Sequence, residues 1–137
     1  MISRSDVLDV SAAIFVDDGR VLCFKRGVSK YPYLSYRFEF PGGKVEDGET
    51  PDETIVRELK EELDVEVIQS ELIPFRNTVH DYPDFTVRMH FFIIDGNPGY
   101  TLKEHCSAVW ADADALPQLD WVDADREILQ SLRGYLE

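Results

Sequence analysis

The chain has few basic residues, and this shortage limits its possible partners. Its 137 residues include 14 Lys and Arg against 27 Asp and Glu, which gives a formal net charge of -13. A negative field of this size repels the phosphates of nucleic-acid polymers and of anionic membranes. A small polyphosphate can still bind, because metal ions neutralise carboxylates locally. We therefore expect neither a nucleic-acid polymer nor a membrane as a partner.

Cysteines, paired histidines and long apolar runs are also lacking. Cys23 and Cys106 form no CxxC pair, so neither a thiolate metal site nor a disulfide framework is expected. His80, His90 and His105 have no HxxxH spacing, which argues against zinc, although His80, in HDYPDF, could lie on a substrate-facing loop. No run approaches the ~20 apolar residues of a membrane span, and the N-terminus lacks the apolar stretch of a signal peptide. These shortages predict a cytoplasmic protein with reduced cysteines.

The residues that are present suit one packed domain spanning residues 1–137. Hydrophobic residues make up 44% of the chain and charged residues 30%, which is ordinary for a globular protein. A domain of roughly 150 residues buries about 70% of its unfolded surface, so a core without disulfides is feasible. The sequence leaves open whether the chain is a monomer or a homodimer.

Local patterns predict strands around a central helix. At Thr50 the sequence T-P-D-E supplies an N-cap hydroxyl, Pro51 in the first turn and Glu53 for a capping box, which predicts a helix over 51–63. A closing amphipathic helix is predicted over 123–135. Predicted strands cover 7–16, 21–25, 36–40, 65–68, 72–79, 85–94 and 108–111. This order predicts an α/β fold with a mixed sheet between helices.

Three carboxylates crowd one edge of the central helix. Glu58, Glu61 and Glu62 are spaced i, i+3 and i+4, and like charges at that spacing destabilise a helix by about 0.2–0.5 kcal/mol per pair. A hard divalent cation such as Mg²⁺ offsets this repulsion, because it binds carboxylate and phosphate oxygens. The alternative is a solvated acidic face stabilised by Lys60 and Arg57.

The segment from Gly43 to Val65 resembles the box of the Nudix (MutT-like) hydrolases, G-x5-E-x7-R-E-U-x-E-E-x-G-U, where U is aliphatic. The FPGGK that overlaps its start and a late tryptophan extend the resemblance. The one departure is Asp64, where the family usually has glycine. Since Asp tolerates the left-handed conformation better than most residues, we expect a small loss of stability and none of activity. The matching residues are Gly43, Glu49, Arg57, Glu58, Leu59, Glu61, Glu62 and Val65.

This resemblance implies a Nudix-type α/β/α sandwich and a Mg²⁺-dependent hydrolase, with Mn²⁺ as a possible substitute. Glu58, Glu61 and Glu62 would bind metal together with the carbonyl of Gly42, and Glu58 is the first choice for the base that activates water. Glu61 would be a catalytic residue together with Glu58.

Arg57 would complete the catalytic set by orienting these carboxylates, although a simple helix ion pair with Glu61 predicts much the same geometry. Glu49 would support the loop, or contact metal as in some relatives.

Other residues are assigned more loosely by the same resemblance. Glu104 is either a metal ligand and second base or an exposed loop charge. Arg26 would contact phosphate or be a surface cation, and Lys44 of FPGGK would contact substrate. Phe40 would stack on the base or, as the safer interpretation, fill core. Asp125, preferred to Asp123 of the same DWVDAD segment, would read the nucleobase edge, or else act as a helix N-cap.

The leading functional hypothesis is a nucleoside triphosphate pyrophosphohydrolase. It would release a monophosphate and pyrophosphate from a standard or oxidised nucleotide such as 8-oxo-dGTP. Hydrolysis of another nucleotide anhydride, in a nucleotide sugar or a dinucleotide, is the alternative within enzymes. A nucleotide sensor that binds without cutting would be expected to have lost one or more glutamates of the box, and all are present. The base and the biological role are not identified by the sequence.

Overall fold

A mixed seven-stranded sheet forms the centre of the molecule. The computed structural model describes residues 7–137, so the first six residues of the predicted domain lie outside it. The strand order is β3-β2-β1-β6-β5, with β4 also paired to β1 and β7 to β2. The strands are β1 (Val7–Asp17), β2 (Arg20–Arg26), β3 (Phe38–Glu39), β4 (Gly42–Lys44), β5 (Ile73–Asp81), β6 (Thr86–Asp95) and β7 (His105–Ala111), and the helices are α1 (Pro51–Leu63), α2 (Asp123–Arg126) and α3 (Leu129–Leu136).

The pairing of β1 makes the sheet mixed. It runs parallel to β6 from Val7↔Thr86 to Val16↔Asp95, and antiparallel to β2 and β4. The β1–β2 hairpin turns at Asp18 and Gly19, whose φ angles of 52° and 72° are both positive. Two successive positive φ values match the twist of a tight hairpin, which accounts for the Asp-Gly dipeptide there.

Each face of the sheet carries its own core, so the molecule has the predicted three layers. Alternation along β1 sends Ala13 and Phe15 to the face covered by α1, while Ala12 and Ile14 meet the face covered by α2 and α3. Trp121, fully buried, lies in the second core. No helix within residues 7–137 is long and apolar enough to cross a membrane.

Helix α1 begins and ends as the sequence predicts. The Thr50 side chain accepts from the Glu53 amide, while the Glu53 carboxylate accepts from the Thr50 amide, completing the capping box. Asp64 ends the helix in the left-handed conformation with φ 57°, and its carboxylate lies 2.9 Å from Lys60 Nζ. The apolar stripe of the helix is buried against the sheet, as at Ile55 and Leu59.

The strand predicted over 65–68 is wrong. These residues follow α1 without regular structure and lead into a short 3₁₀ turn at 69–71. The Val65 amide donates to the Leu59 carbonyl, and the Val65 side chain packs in the α1 core. The apolar residue at this position therefore closes the end of the helix.

Three further segments differ clearly from their predicted extents. The strand over 36–40 shrinks to Phe38–Glu39, because Tyr36 is left-handed with φ 58° and the Phe40 amide bonds to a side chain from α2. The closing helix is split at Ile128 into α2 and α3. The strand predicted over 108–111 begins earlier, at His105.

Candidate active site

Two adjacent glycines bring the loop after β4 close to both the sheet and the helix. A Cβ on Gly42 would lie 1.9 Å from the Ser11 carbonyl oxygen of β1, and the φ of Gly42 is 154°. A Cβ on Gly43 would lie 2.4 Å from the Glu58 carboxylate. At Gly42 the obstructing atoms are backbone, so only glycine fits there, whereas at Gly43 the obstruction is the Glu58 carboxyl group, which packs directly on the Gly43 backbone.

Arg57 lies at the centre of an ion-pair network that joins this loop to α1. Its Nε and Nη2 bind the two carboxylate oxygens of Glu49 at 2.7 and 2.9 Å. Its Nη1 donates to Glu58 Oε1 at 2.8 Å, and Nη2 donates to the Lys44 carbonyl at 3.1 Å. The contact with Glu61 is longer, at 3.4 Å. Arg57 therefore holds Glu58 in place and is more than an i,i+4 partner of Glu61.

Glu49 is the fixed counter-charge of this network. The Arg57 guanidinium, followed by the Thr54 hydroxyl, lowers the pKa of Glu49 to about 2. Thr54 Oγ1 donates to Glu49 Oε1 at 2.6 Å, and the Glu46 amide reaches the same oxygen at 3.2 Å. Because both carboxylate oxygens already have partners, Glu49 is placed to support the loop.

The three box carboxylates of α1 lie in different environments. Glu62 is buried and Glu58 has a 16% exposed side chain, whereas Glu61 is 60% exposed. Burial raises the pKa of Glu62 to about 9, with further contributions from its hydrogen bond to Glu58 and from the charges of Glu39 and Glu104.

Neighbouring carboxyl groups are a donor set suited to a hard divalent cation, which would take the place of the proton that burial favours on Glu62. Within residues 7–137, no three His, Cys, Asp or Glu side chains form a ready-made metal group. Glu58 and Glu62 fit such an ion, and further oxygen ligands would come from a backbone carbonyl such as that of Gly42, from another carboxylate or from the substrate.

A cavity of about 450 Å³ opens beside these carboxylates. Glu62 lines the cavity, and the Glu58 carboxylate lies behind Gly43, which also lines it, whereas Glu61 and Arg57 do not form part of the wall. Of the other residues singled out in the sequence, those that line the cavity are Arg26, Phe40, Gly42, Lys44, Glu104 and Asp125. Tyr82 and Phe85, from the turn between β5 and β6, also line it. Both belong to the HDYPDF segment, in which the sequence pointed to His80 as the substrate-facing residue, and His80 does not line the cavity.

Phe40 belongs to both the core and the cavity wall. It is 3% exposed, and its ring lies 4.7 Å from that of Trp121 and edge-on to Phe91. Its backbone amide donates to Asp125 Oδ2 at 2.8 Å. The core interpretation of Phe40 agrees with this burial, and Phe40 also lines the cavity.

Asp125 lies within α2, and its interpretation as a helix N-cap is wrong. The N-cap position belongs to Val122, and Asp125 is 3% exposed at the cavity wall. Burial raises the pKa of Asp125 to about 8, although the Phe40 amide and the Arg26 charge oppose the shift. Asp125 is thus a buried carboxyl group that titrates near neutral pH.

The sequence analysis missed Glu39 and His105. Glu39 Oε1 binds Arg26 Nη1 at 2.9 Å, and Glu39 Oε2 lies 2.9 Å from Nε2 of the buried His105. The available signal was a carboxylate between two aromatic residues in F-E-F, where a strand would bury its neighbours. Nothing in the spacing of His105 pointed to Glu39, which is 66 residues away.

The buried Asp125 predicts a pH-dependent stability. Since its folded-state pKa is raised above the ordinary value of 3.8, the folded chain holds this proton more tightly, and the stabilisation is lost as pH rises through about 8. Asp125→Asn should therefore stabilise the protein relative to wild type at pH 9 by more than at pH 6. Urea unfolding of both proteins at the two pH values measures this difference. A difference that does not change with pH would contradict the raised pKa.

The comparisons with known proteins agree with this geometry. A NUDIX domain family model matches residues 7–132. An 8-oxo-dGTP diphosphatase of Escherichia coli (strain K12) is 33% identical over 102 residues, which cover 74% of this chain and 78% of that one. A CTP pyrophosphohydrolase of the same strain is 28% identical over 126 residues, covering 91% and 90%.

The solved structure of the E. coli ORF135 protein superimposes with a TM-score of 0.76 at 26% identity, over 93% of this chain and 89% of that one. The family match spans both cores and the α1 carboxylates, and the predicted α/β/α fold is confirmed. The chain belongs to the Nudix family and is a hydrolase that acts on phosphoanhydride bonds.

Proposed function

We propose that this hydrolase is a Mg²⁺-dependent nucleoside triphosphate pyrophosphohydrolase. The observation that carries the proposal is one cavity whose wall combines acidic groups from the metal side, Glu62 and Glu104, with the aromatic Phe40 and the buried Asp125. Its volume of about 450 Å³ lies within the range of small-molecule sites, roughly 300–1,000 Å³. A nucleotide needs both kinds of surface, one for its phosphates and one for its base.

The metal ligands would be the carboxylates of Glu58, Glu61, Glu62 and Glu104 with the Gly42 carbonyl. All of these are oxygen donors, as Mg²⁺ prefers, and Mn²⁺ accepts the same set. When bound, the metal supplies positive charge next to the polyphosphate and next to the attacking water.

The residues of the chain have distinct tasks in this proposal. Glu58, held by a hydrogen bond from Arg57, accepts the proton of the attacking water. The same hydrogen bond keeps the acceptor carboxylate from rotating away from that water. Arg26 and Lys44, the cations of the cavity wall, contact the phosphates. Attack within the chain of phosphates leaves pyrophosphate as the leaving group.

Phe40 and Asp125 would form the base end of the site. A buried carboxyl group that titrates near pH 8 can donate a hydrogen bond when protonated and accept one when ionised. The relatives named for 8-oxo-dGTP and CTP hydrolysis support a nucleoside triphosphate, in standard or oxidised form, over a nucleotide sugar or dinucleotide. A sensor without activity is disfavoured because the Glu58–Arg57–Glu49 network is intact.

A panel of nucleotides assayed with Mg²⁺ tests this function. Standard and oxidised nucleoside triphosphates should give a monophosphate and pyrophosphate, while nucleotide sugars and dinucleotides react slowly. Glu58→Gln, which removes charge and keeps volume, should abolish turnover without unfolding the chain. Orthophosphate as the first product, or full turnover by folded Glu58→Gln, would refute the proposal.

Gly43→Ala tests whether the close packing of Glu58 matters. The new methyl group must displace the Glu58 carboxylate, which is the end of a flexible side chain, so the fold should survive while activity falls by about 10- to 100-fold. Gly134→Ala in α3 is the matched control, since a Cβ there meets nothing within 4 Å. Turnover of both variants, with thermal melting, makes the comparison. Equal activity in the two variants would show that Glu58 tolerates displacement.

Asp125→Asn tests the base contact. The amide oxygen can still accept from the Phe40 amide, but the side chain can no longer ionise. The ratio of kcat/KM between the best and the poorest nucleotide should fall, because a site built around a hydrogen bond loses discrimination when one partner changes. Dependence on Mg²⁺ should stay the same. A uniform loss for every nucleotide would instead assign Asp125 a structural role.

A further inference from the structure

The cavity wall contains a buried histidine for which the proposed reaction has no use. The His105 side chain is 3% exposed, and its ring packs 5.2 Å from that of Phe24. Its Nε2 lies 2.9 Å from Glu39 Oε2 and 3.9 Å from Glu62 Oε2, and within the described residues 7–137 its Nδ1 is buried without a hydrogen-bond partner. A buried polar ring with one satisfied nitrogen needs a reason for being there.

A β-bulge brings His105 to this position. Strand β7 pairs regularly with β2 up to Lys25↔Ser107, and the register then shifts so that Arg26 pairs with His105. Ala108 and Trp110 face the α1 core, so unbroken alternation would bury Cys106 there. The extra residue buries His105 instead and leaves Cys106 exposed.

The orphaned nitrogen identifies which ring nitrogen carries the proton. An unpaired buried N–H donor costs more than an unpaired acceptor, so the neutral ring with its hydrogen on Nε2 fits these surroundings best. In this form His105 donates to Glu39. The ring is then a fixed donor.

Glu39 uses its other oxygen to hold Arg26. The Arg26 Nη1 lies 2.9 Å from Glu39 Oε1, and within the described residues 7–137 no other side chain accepts from this guanidinium. Its remaining N–H groups are available to the cavity that Arg26 lines. An unanchored arginine here would instead pair with Glu62 or Glu104 on the same wall.

We propose that His105 and Glu39 are positioning residues that hold the Arg26 guanidinium where the substrate's phosphates bind. The inference rests on the proposed function, in which Arg26 contacts phosphate. His105 fixes the carboxylate of Glu39, Glu39 fixes one edge of the guanidinium, and the free edge meets the anion. The ligand chemistry is that of an inorganic or nucleotide polyphosphate.

A double-mutant cycle with Arg26 tests this chain of contacts. His105→Leu removes the donor and keeps the bulk, so it should weaken binding of inorganic triphosphate with Mg²⁺ by about tenfold, within the range for residues in one hydrogen-bond network. In an Arg26→Ala background the same change should cost less than about twofold, because the guanidinium that it positions is gone. Isothermal titration calorimetry measures both losses without turnover.

Three further variants separate positioning from structural damage. His105→Gln, whose amide can donate from near the Nε2 position, should keep most of the affinity. Glu39→Gln should lose affinity in the wild-type background and lose much less in the Arg26→Ala background, as expected for His105→Leu. It replaces His105→Leu in the cycle if that variant does not fold. The control is His90→Leu, which breaks a similar pair 3.0 Å from Asp9 outside the cavity and should leave affinity unchanged.

The results distinguish this proposal from the proposed function. Equal losses in both backgrounds, or no loss from Arg26→Ala, would overturn the positioning role even if the nucleotide panel succeeds. A chain that hydrolyses no nucleoside triphosphate, yet binds inorganic triphosphate with the predicted non-additivity, would overturn the proposed function and leave the positioning role standing.

Discussion

The ion-pair network around Arg57 is the interaction on which the site depends. A helix edge with several carboxylates is unfavourable by itself, and Arg57 offsets this with contacts to both Glu49 and Glu58. The Glu49 pair is bidentate, which fixes the plane of the guanidinium as well as its distance. Because Glu49 belongs to the loop and Arg57 to α1, the pair also ties the two elements together. Lysine could not replace this arginine without losing that geometry.

The pairing of β4 with β1 explains why the loop after β4 lies so close to α1. Strand β4 pairs with β1 through Ala12↔Gly42 and Ser11↔Gly43, and α1 packs on the same face. The Glu58 carboxylate occupies the space next to Gly43, and the Ser11 carbonyl occupies the space next to Gly42. The two glycines therefore reflect contacts made by their neighbours more than any need for a flexible chain.

The sequence predicted best those features that depend on neighbours within one or two helical turns. The capping box at Thr50, the left-handed Asp64 and the spacing of the carboxylates are local, so reading along the chain finds them. The strand predicted over 65–68 failed because apolar residues that close a helix resemble a short strand.

The missed contacts are non-local. Glu39 meets His105 across 66 residues, and the Phe40 amide meets Asp125 across 85. The first of these also depends on a bulge in β7, and a bulge changes which residue faces the core without leaving a compositional mark. The sequence thus predicted that carboxylates gather near α1. The cavity wall that they form together with residues of the sheet could be recognised only from the fold.

The charged groups of the cavity wall affect how a polyphosphate can bind. Four carboxyl groups, Glu39, Glu62, Glu104 and Asp125, line it together with two basic side chains, Arg26 and Lys44. Because burial raises the pKa of Glu62 to about 9 and that of Asp125 to about 8, both are protonated at neutral pH, and Glu39 and Glu104 balance Arg26 and Lys44. The wall therefore offers an entering polyphosphate no net positive charge. In the proposed function, a divalent cation that enters with the substrate supplies the positive charge that the wall lacks. On that proposal, a chain too acidic to favour nucleic-acid polymers binds a small polyphosphate only together with metal.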